Sequence, residues 1–218
     1  MIAGRPNDYC NGGGNPMAAI LTSLRNTIIA GLVLTILMAL YITKSSGETL
    51  VFDHAYFTFF MRWLHVLSAV MWIGLLWYLN FVQIPNMPNI PDEQKPAIGK
   101  VIAPAVLFWF RWGAMATLVT GLLLAAMNGY IMDAISLGLG ENGSPKTTAI
   151  GIGMWLGAIM WFNVWFVIWP NQQRALGMVE ADAASKAASA RTAMLFSRTN
   201  TLLSVPMLYA MVSAQNLY

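Results

Sequence analysis

The sequence predicts an all-α integral membrane protein with five transmembrane helices: a four-helix core, one extra helix ahead of it, and an amphipathic segment between helices four and five. Three observations carry that reading. Of the 218 residues, 57% are hydrophobic and only 10% are charged, where a soluble domain carries roughly 25%. So few charges cannot cover a water-facing surface of this size. Apolar runs also recur at lengths suited to a hydrocarbon core about 30 Å thick. Finally, the nine tryptophans cluster toward the edges of those runs, as suits anchoring at membrane interfaces.

The clearest run is Met154 to Asn171, MWLGAIMWFNVWFVIWPN, which holds one amide, Asn163, and stops at Pro170. The other elements follow the same design. Residues 1–16 are Gly-, Asn- and Pro-rich and read as a flexible tail, with Met17 as a second start, and the block 1–25 precedes the first helix. Asn26 to Ile42 is the first apolar run; Arg25 ahead of it also suits a signal peptide, but no convincing small-x-small cleavage site follows. With the polar loop Lys44 to Asp53, this extra helix occupies 26–55. The core domain, 56–218, holds helix two (Tyr56 to Val82), helix three (Val101 to Met127), helix four (Thr148 to Trp169) and a weaker fifth span (Ala193 to Leu217) interrupted by Arg198, Asn200 and Pro206. Residues 84–100, with four prolines, and 128–147, Gly-rich, read as loops. Residues 171–192 place apolar positions among charges at a helical period and read as an amphipathic helix outside the hydrocarbon. Gly153 and Gly157 form a small-xxx-small pair suited to close helix packing.

Charge bounds the function classes. The net charge of +3 is spread over the loops, and no basic run points to nucleic acid. One cysteine, Cys10, excludes an internal disulfide and a cysteine-based metal cluster. No CxxCH is present, so c-type haem cannot be attached to this chain. Arg5, Arg25, Lys95, Lys100, Arg174, Lys186 and Arg191 fall on one side of the expected bilayer, against Lys44 and Lys146 on the other. The excess of positive charge places the N-terminus in the cytoplasm and the C-terminus outside.

The polar residues inside the spans are the candidate site. Arg62 and His65 lie one turn apart on helix two, Arg111 lies deep in helix three, Asn163 in helix four, and Arg198 and Asn200 early in helix five. Alternating helix direction brings Asn80, Asn163, Arg198 and Asn200 to one depth, a buried polar cluster. All nine carboxylates lie in loops or tails, so the arginines lack an anionic partner at their own depth. An unpaired buried charge is costly. Haem propionates, an anionic substrate, a lipid phosphate or a carboxylate of another subunit would answer it, and Arg62 and Arg198 also have the option of reaching an interface with their long side chains.

His54 and His65, eleven residues apart, share a face but stand roughly 16 Å apart along the axis. Helices three to five contain no histidine, so two histidines of one chain cannot hold one haem between them. A single axial His remains open. With no acid nearby, a metal triad or a Ser-His-Asp arrangement has no support. The commonplace reading of His65 is a hydrogen-bonded core residue.

Four segments, RWLHVLSAVMWIGLLWYLNFVQIP (62–85), FWFRWGAMATLVTGLLL (108–124), IMWFNVWFVIWPNQ (159–172) and SRTNTLLSVPMLYAM (197–211), closely resemble the membrane domain of the bacterial cytochrome-c-linked urate oxidase (urate hydroxylase) family, over roughly residues 56–215. In that family, the resemblance implies, further membrane helices and a C-terminal cytochrome c domain follow; this chain reads as a short form without them. Leu64, His65 and Trp72 carry a weaker likeness to four-helix membrane proteins of the haem-binding and copper-resistance type. Three functions are expected from these readings. The first is an accessory subunit of a larger membrane-bound redox or oxygenase complex. The second is an electron-transfer component that binds haem b through His65, with Arg62 or Arg111 pairing the propionates. The third is a urate-oxidising unit working with a separate cytochrome c. The expected setting is a bacterial inner or intracytoplasmic membrane, with the lipid bilayer and other subunits as partners.

Overall fold

The computed structural model describes residues 16–47 and 49–218; residues 1–15, and with them most of the expected tail and Cys10, lie outside the described residues. Every regular element is a helix, and no strand occurs among the described residues. We label them α1 (Pro16–Leu21), α2 (Leu24–Ser46), α3 (His54–Asn89), α4 (Lys95–Met127), α5 (Ile131–Ile135), α6 (Pro145–Ala175) and α7 (Ala183–Asn216). Four of them, α2, α3, α4 and α6, are long and apolar enough to cross a membrane. The chain divides into two units, one up to Asp53 and one from His54 to Tyr218.

The first unit holds α1 and α2. Ser23 caps α2 by accepting from the Asn26 N–H, and Gly47 ends it in a left-handed conformation with its N–H on the Lys44 carbonyl. No residue of α2 is buried, and its sequence is apolar on every face. A helix of that kind suits an apolar surrounding rather than one core-facing stripe.

In the second unit α3 packs against α4, α7 against α6, and the short α5 against α6. The core between them is built from Trp72, Ile73 and Leu76 of α3, Phe110 and Ala114 of α4, Met160, Val164 and Ile168 of α6, and Met207 of α7. Gly113 sets the α3–α4 distance: a Cβ there would lie 3.3 Å from the Trp72 backbone nitrogen. Gly153 meets the Met211 side chain of α7, whereas Gly157 has nothing within 4 Å. Only the first half of the expected glycine pair is therefore used inside this chain.

The helices run further than the sequence suggests. Most of the expected 84–100 loop is helical, because Pro85, Pro88 and Pro96 fall at the first positions of successive turns, where a missing N–H costs little, and only Pro91 lies in the break between them. Three π-helical turns lie within the long rods, at Tyr78–Gln83, Ile98–Ile102 and Asn163–Ile168. The amphipathic segment expected over 171–192 is not a separate helix. Its first residues finish α6 at Ala175, a turn through Gly177 follows, and its Ala-rich remainder is the start of α7. Asp182 caps that start, and nothing in ASKAASAR breaks the helix before the expected fifth span. Pro206 sits inside α7 without ending it. At 34 residues α7 is the longest single α-helical segment, but it does not reach the apolarity of a spanning helix; its buried face is built from Ser189, Ser197, Asn200, Ser204 and Ser213 with alanines.

Candidate functional site

Two polar regions occupy the second unit, and the first is an amide network in its interior. Asn163, buried at the start of a π-helical turn of α6, donates from Nδ2 to Asn200 Oδ1 of α7 at 2.9 Å. Asn200, fully buried, donates in turn to the Met160 carbonyl of α6 at 2.9 Å. Asn80, within the π-helical turn of α3, donates to the Leu76 carbonyl (2.9 Å) and to Ser197 Oγ of α7 (2.8 Å). Trp77 Nε1 donates to Ser204 Oγ at 3.0 Å, and Ser204 passes its own proton to the Thr201 carbonyl. These bonds tie α3 and α6 to one face of α7. The expected cluster of Asn80, Asn163 and Asn200 thus exists as two adjacent links along α7. Arg198 is not in it: the residue is exposed, on the opposite side of α7 from the buried Ser197 and Asn200 contacts.

The second region lies between α3 and α4. His65 Nδ1 stands 3.0 Å from the Thr117 carbonyl and 3.2 Å from Thr120 Oγ1. A carbonyl only accepts, so Nδ1 carries the proton and the neutral ring keeps its lone pair on Nε2. No described residue hydrogen-bonds that nitrogen. Gly121 makes room for the ring, since a Cβ there would come within 2.8 Å of His65 Cε1. The arrangement is that of an imidazole oriented by its second nitrogen, the usual support of a metal- or haem-ligating histidine.

Arg111 has a partner in its own chain that the sequence reading did not find. Its guanidinium carbon lies 3.8 Å from the centre of the Trp169 ring and 5.2 Å from that of Trp165, both on α6. Such contacts are worth about 0.5–2 kcal/mol, most when desolvated. Its Nε is buried without an acceptor. Being engaged with α6, Arg111 is not brought to His65. The signal was present: Trp165 and Trp169 stand four residues apart, on one face of a helix.

Arg62 is exposed and reaches Gln215 Oε1 at 3.5 Å. It lines an open cleft of about 450 Å³ with His54, Thr58, Met127 and Asn128. His54 donates from Nε2 to the Met127 carbonyl (2.9 Å), closing the start of α3 onto the end of α4. Beside the cleft, burial raises the Tyr130 phenol above its ordinary range, and the positive charge of Arg62 opposes that rise.

Chemically, the first region fixes helices and the second offers one oriented nitrogen lone pair. No group of three or more His, Cys, Asp or Glu among the described residues could hold a metal ion. Thr117, Thr120 and Gly121 around His65, and Ser197 and Ser204 along α7, are site residues that sequence reasoning missed. Threonine, serine and glycine are too common in apolar helices to mark a site by themselves.

No curated protein and no solved structure matches the chain. A family model described as urate oxidase N-terminal covers residues 123–217, which hold the end of α4 and all of α5, α6 and α7. The amide partners Asn163, Ser197 and Asn200 and both tryptophans that receive Arg111 fall within it. Over residues 123–217, then, this chain matches the urate oxidase N-terminal family.

Proposed function

We propose that this chain is a membrane-embedded accessory subunit of a larger redox or oxygenase complex. One contrast carries the reading. In the interior Asn163 and Asn200 answer one another and Asn80 donates to Ser197, with Trp72 Nε1 and Asn80 Oδ1 left over, whereas His65 Nε2, Arg62 and the guanidinium of Arg111 have hydrogen-bonding capacity to spare on side chains that are not fully buried. The interior is a scaffold, and the periphery has something left to offer a neighbour. Membrane insertion itself is supported by the four long apolar helices, and the exposed Leu, Ile, Val and Phe side chains of α2 and α3 are those of a lipid- or protein-facing surface. The loop charges favour a cytoplasmic N-terminus, and a bacterial inner or intracytoplasmic membrane is the setting we propose.

The test is gentle extraction from native membranes followed by size analysis and identification of what comes with the chain. Reproducible co-purification with redox subunits in fixed ratio supports the proposal. A monodisperse lone protein after several mild detergents sinks it.

A second reading is favoured by the His65 geometry: a component that binds haem b, supplied with one-electron chemistry by that group. His65 would hold the iron through Nε2, since Nδ1–H is bound to the Thr117 carbonyl and Nε2 has no partner among the described residues. Arg62, one turn away and exposed, would be the residue to pair a propionate; Arg111 stays with its tryptophans. A Soret band in purified wild type that shifts or vanishes in His65→Ala supports this reading, and its absence in protein loaded with haem removes it. The urate-oxidising unit with a separate cytochrome c is supported by the family match alone. Retained urate consumption after loss of the chain would reject it.

A further inference from the structure

We propose that Arg111, braced by Trp169, is a binding site for the phosphate of an anionic phospholipid. The inference rests on the membrane-embedded reading above and adds to it a ligand and a place.

The place follows from the register of α4 against α6. Residues 103 and 107 of α4 line the same small cavity as Gln172, Ala175 and Leu176 of α6, and a Cβ on Gly99 would lie 3.9 Å from Leu176. The polar end of α6, Asn171-Gln172-Gln173-Arg174, is therefore level with residues 103–107 of α4. Arg111 lies about one helical turn, roughly 6 Å, inside that rim. The long side chain covers such a depth readily, keeping its charge near the interface. The surroundings agree: Trp109 and Trp112, on either side of Arg111 in α4, are exposed, and tryptophan is a residue type that settles at headgroup level.

The ligand follows from what Arg111 lacks. Among the described residues no carboxylate and no hydrogen-bond acceptor reaches it, and the ion pair that forms there, Lys95 with Asp92, is elsewhere. The Trp169 face holds the guanidinium plane at 3.8 Å and the Trp165 ring flanks it, so the group is oriented while its terminal nitrogens stay unpaired. An oriented guanidinium edge suits two oxygens of one phosphate. At this depth, surrounded by exposed aromatics, the phosphate at hand is that of a lipid.

The experiment is native mass spectrometry of the purified full chain in detergent, titrated in parallel with phosphatidylglycerol, phosphatidylcholine and inorganic phosphate. Wild type is expected to retain one phosphatidylglycerol about ten-fold more readily than phosphatidylcholine. Arg111→Gln should bring the two to parity, Arg111→Lys should keep part of the preference, and Trp169→Leu should weaken it with the cation still present. An unchanged preference in both Arg111→Gln and Trp169→Leu overturns the site. So does saturation by inorganic phosphate alone, or protection of Arg111 only in the presence of a co-purified acidic subunit. A carbonate wash of the source membranes separates the two failures. Release of the chain into the wash sinks the membrane reading itself, whereas a retained chain with lipid parity sinks only this inference.

Discussion

The amide network along α7 and the imidazole seat between α3 and α4 solve one problem in opposite ways. Both place polar side chains among apolar helices. Along α7, Asn163 pairs with Asn200 and Asn80 donates to Ser197, with only Asn80 Oδ1 left over among these amides, so what remains is a fastener. At His65 the protein satisfies one ring nitrogen and leaves the other open, so what remains is an oriented ligand. The difference is a matter of surroundings. Asn200 is fully enclosed by α6 and α7 and must be satisfied on the spot, while His65 is half-buried and stands at a helix pair with an open side. A polar residue in an apolar helix therefore says little about function until its partners are known.

The largest effect is expected from Asn200→Ala. It removes the acceptor of Asn163 Nδ2 and the donor to Met160, and leaves a void in a fully buried position. Roughly 2–4 kcal/mol of stability should be lost, combining unsatisfied groups with a cavity. Unfolding in mixed micelles measures it. A loss under about 0.5 kcal/mol would mean that the network does not fasten the helices, and the contrast with His65 would fail. Asn163→Ala combined with Asn200→Ala should cost less than the sum of the two, because they share one bond.

Gly121→Ala comes next and probes the other side of the comparison. Its Cβ would meet the imidazole at 2.8 Å, and the ring cannot yield without stretching its bonds to Thr117 and Thr120. A loss of about 1–3 kcal/mol is expected from that overpacking. The same change in a His65→Ala background should be nearly neutral. If Gly121→Ala costs the same with and without the imidazole, the seat is not what Gly121 provides.

These two sites also show how far the sequence could be read. The all-helical class, the apolar rods and the identity of Asn80, Asn163 and Asn200 as buried amides were legible, because an amide in an apolar run has few places to go. Their exact pairing was not. Asn80 and Asn163 each sit in a π-helical turn, which shifts the helix face and breaks the simple 3.6-residue projection. The start of helix three was misplaced for a related reason: prolines 96 and 104 begin helical turns rather than end them, so α4 starts at Lys95. The family likeness read across 56–215 is matched over 123–217, where WPNQ and SRTN fall.

A smaller effect sharpens the comparison within α7 itself. Trp77 donates to Ser204, but its ring is partly exposed and water or lipid can take over part of its burial. Trp77→Phe keeps most of the packing and removes one interhelical hydrogen bond, a change of about 0.6 kcal/mol by the average for such bonds in membrane proteins. A loss comparable to that of Asn200→Ala would show that the links along α7 act as one unit rather than as separate fasteners.

The smallest effect is expected where the same helix meets water. Asp182 caps α7, accepting from the Ser185 backbone N–H at 2.8 Å and from its hydroxyl at 2.9 Å. The Ser185 backbone bond, then the hydroxyl, holds the carboxyl below its ordinary value of 3.8. A carboxyl whose folded pKa is depressed stabilises fully above the unfolded value and loses that contribution as pH falls through the lower folded value. Acid titration of wild type should therefore show a small loss of helix stability below about pH 4. Asp182→Asn keeps a capping oxygen but has nothing to titrate, so its α7 should be less sensitive to acid over that range. The fully exposed cap is screened by solvent, which is why the effect is small. Equal acid sensitivity in the two proteins would place the responsible carboxylate elsewhere. It would leave the buried amides and serines, which do not titrate, to hold this helix.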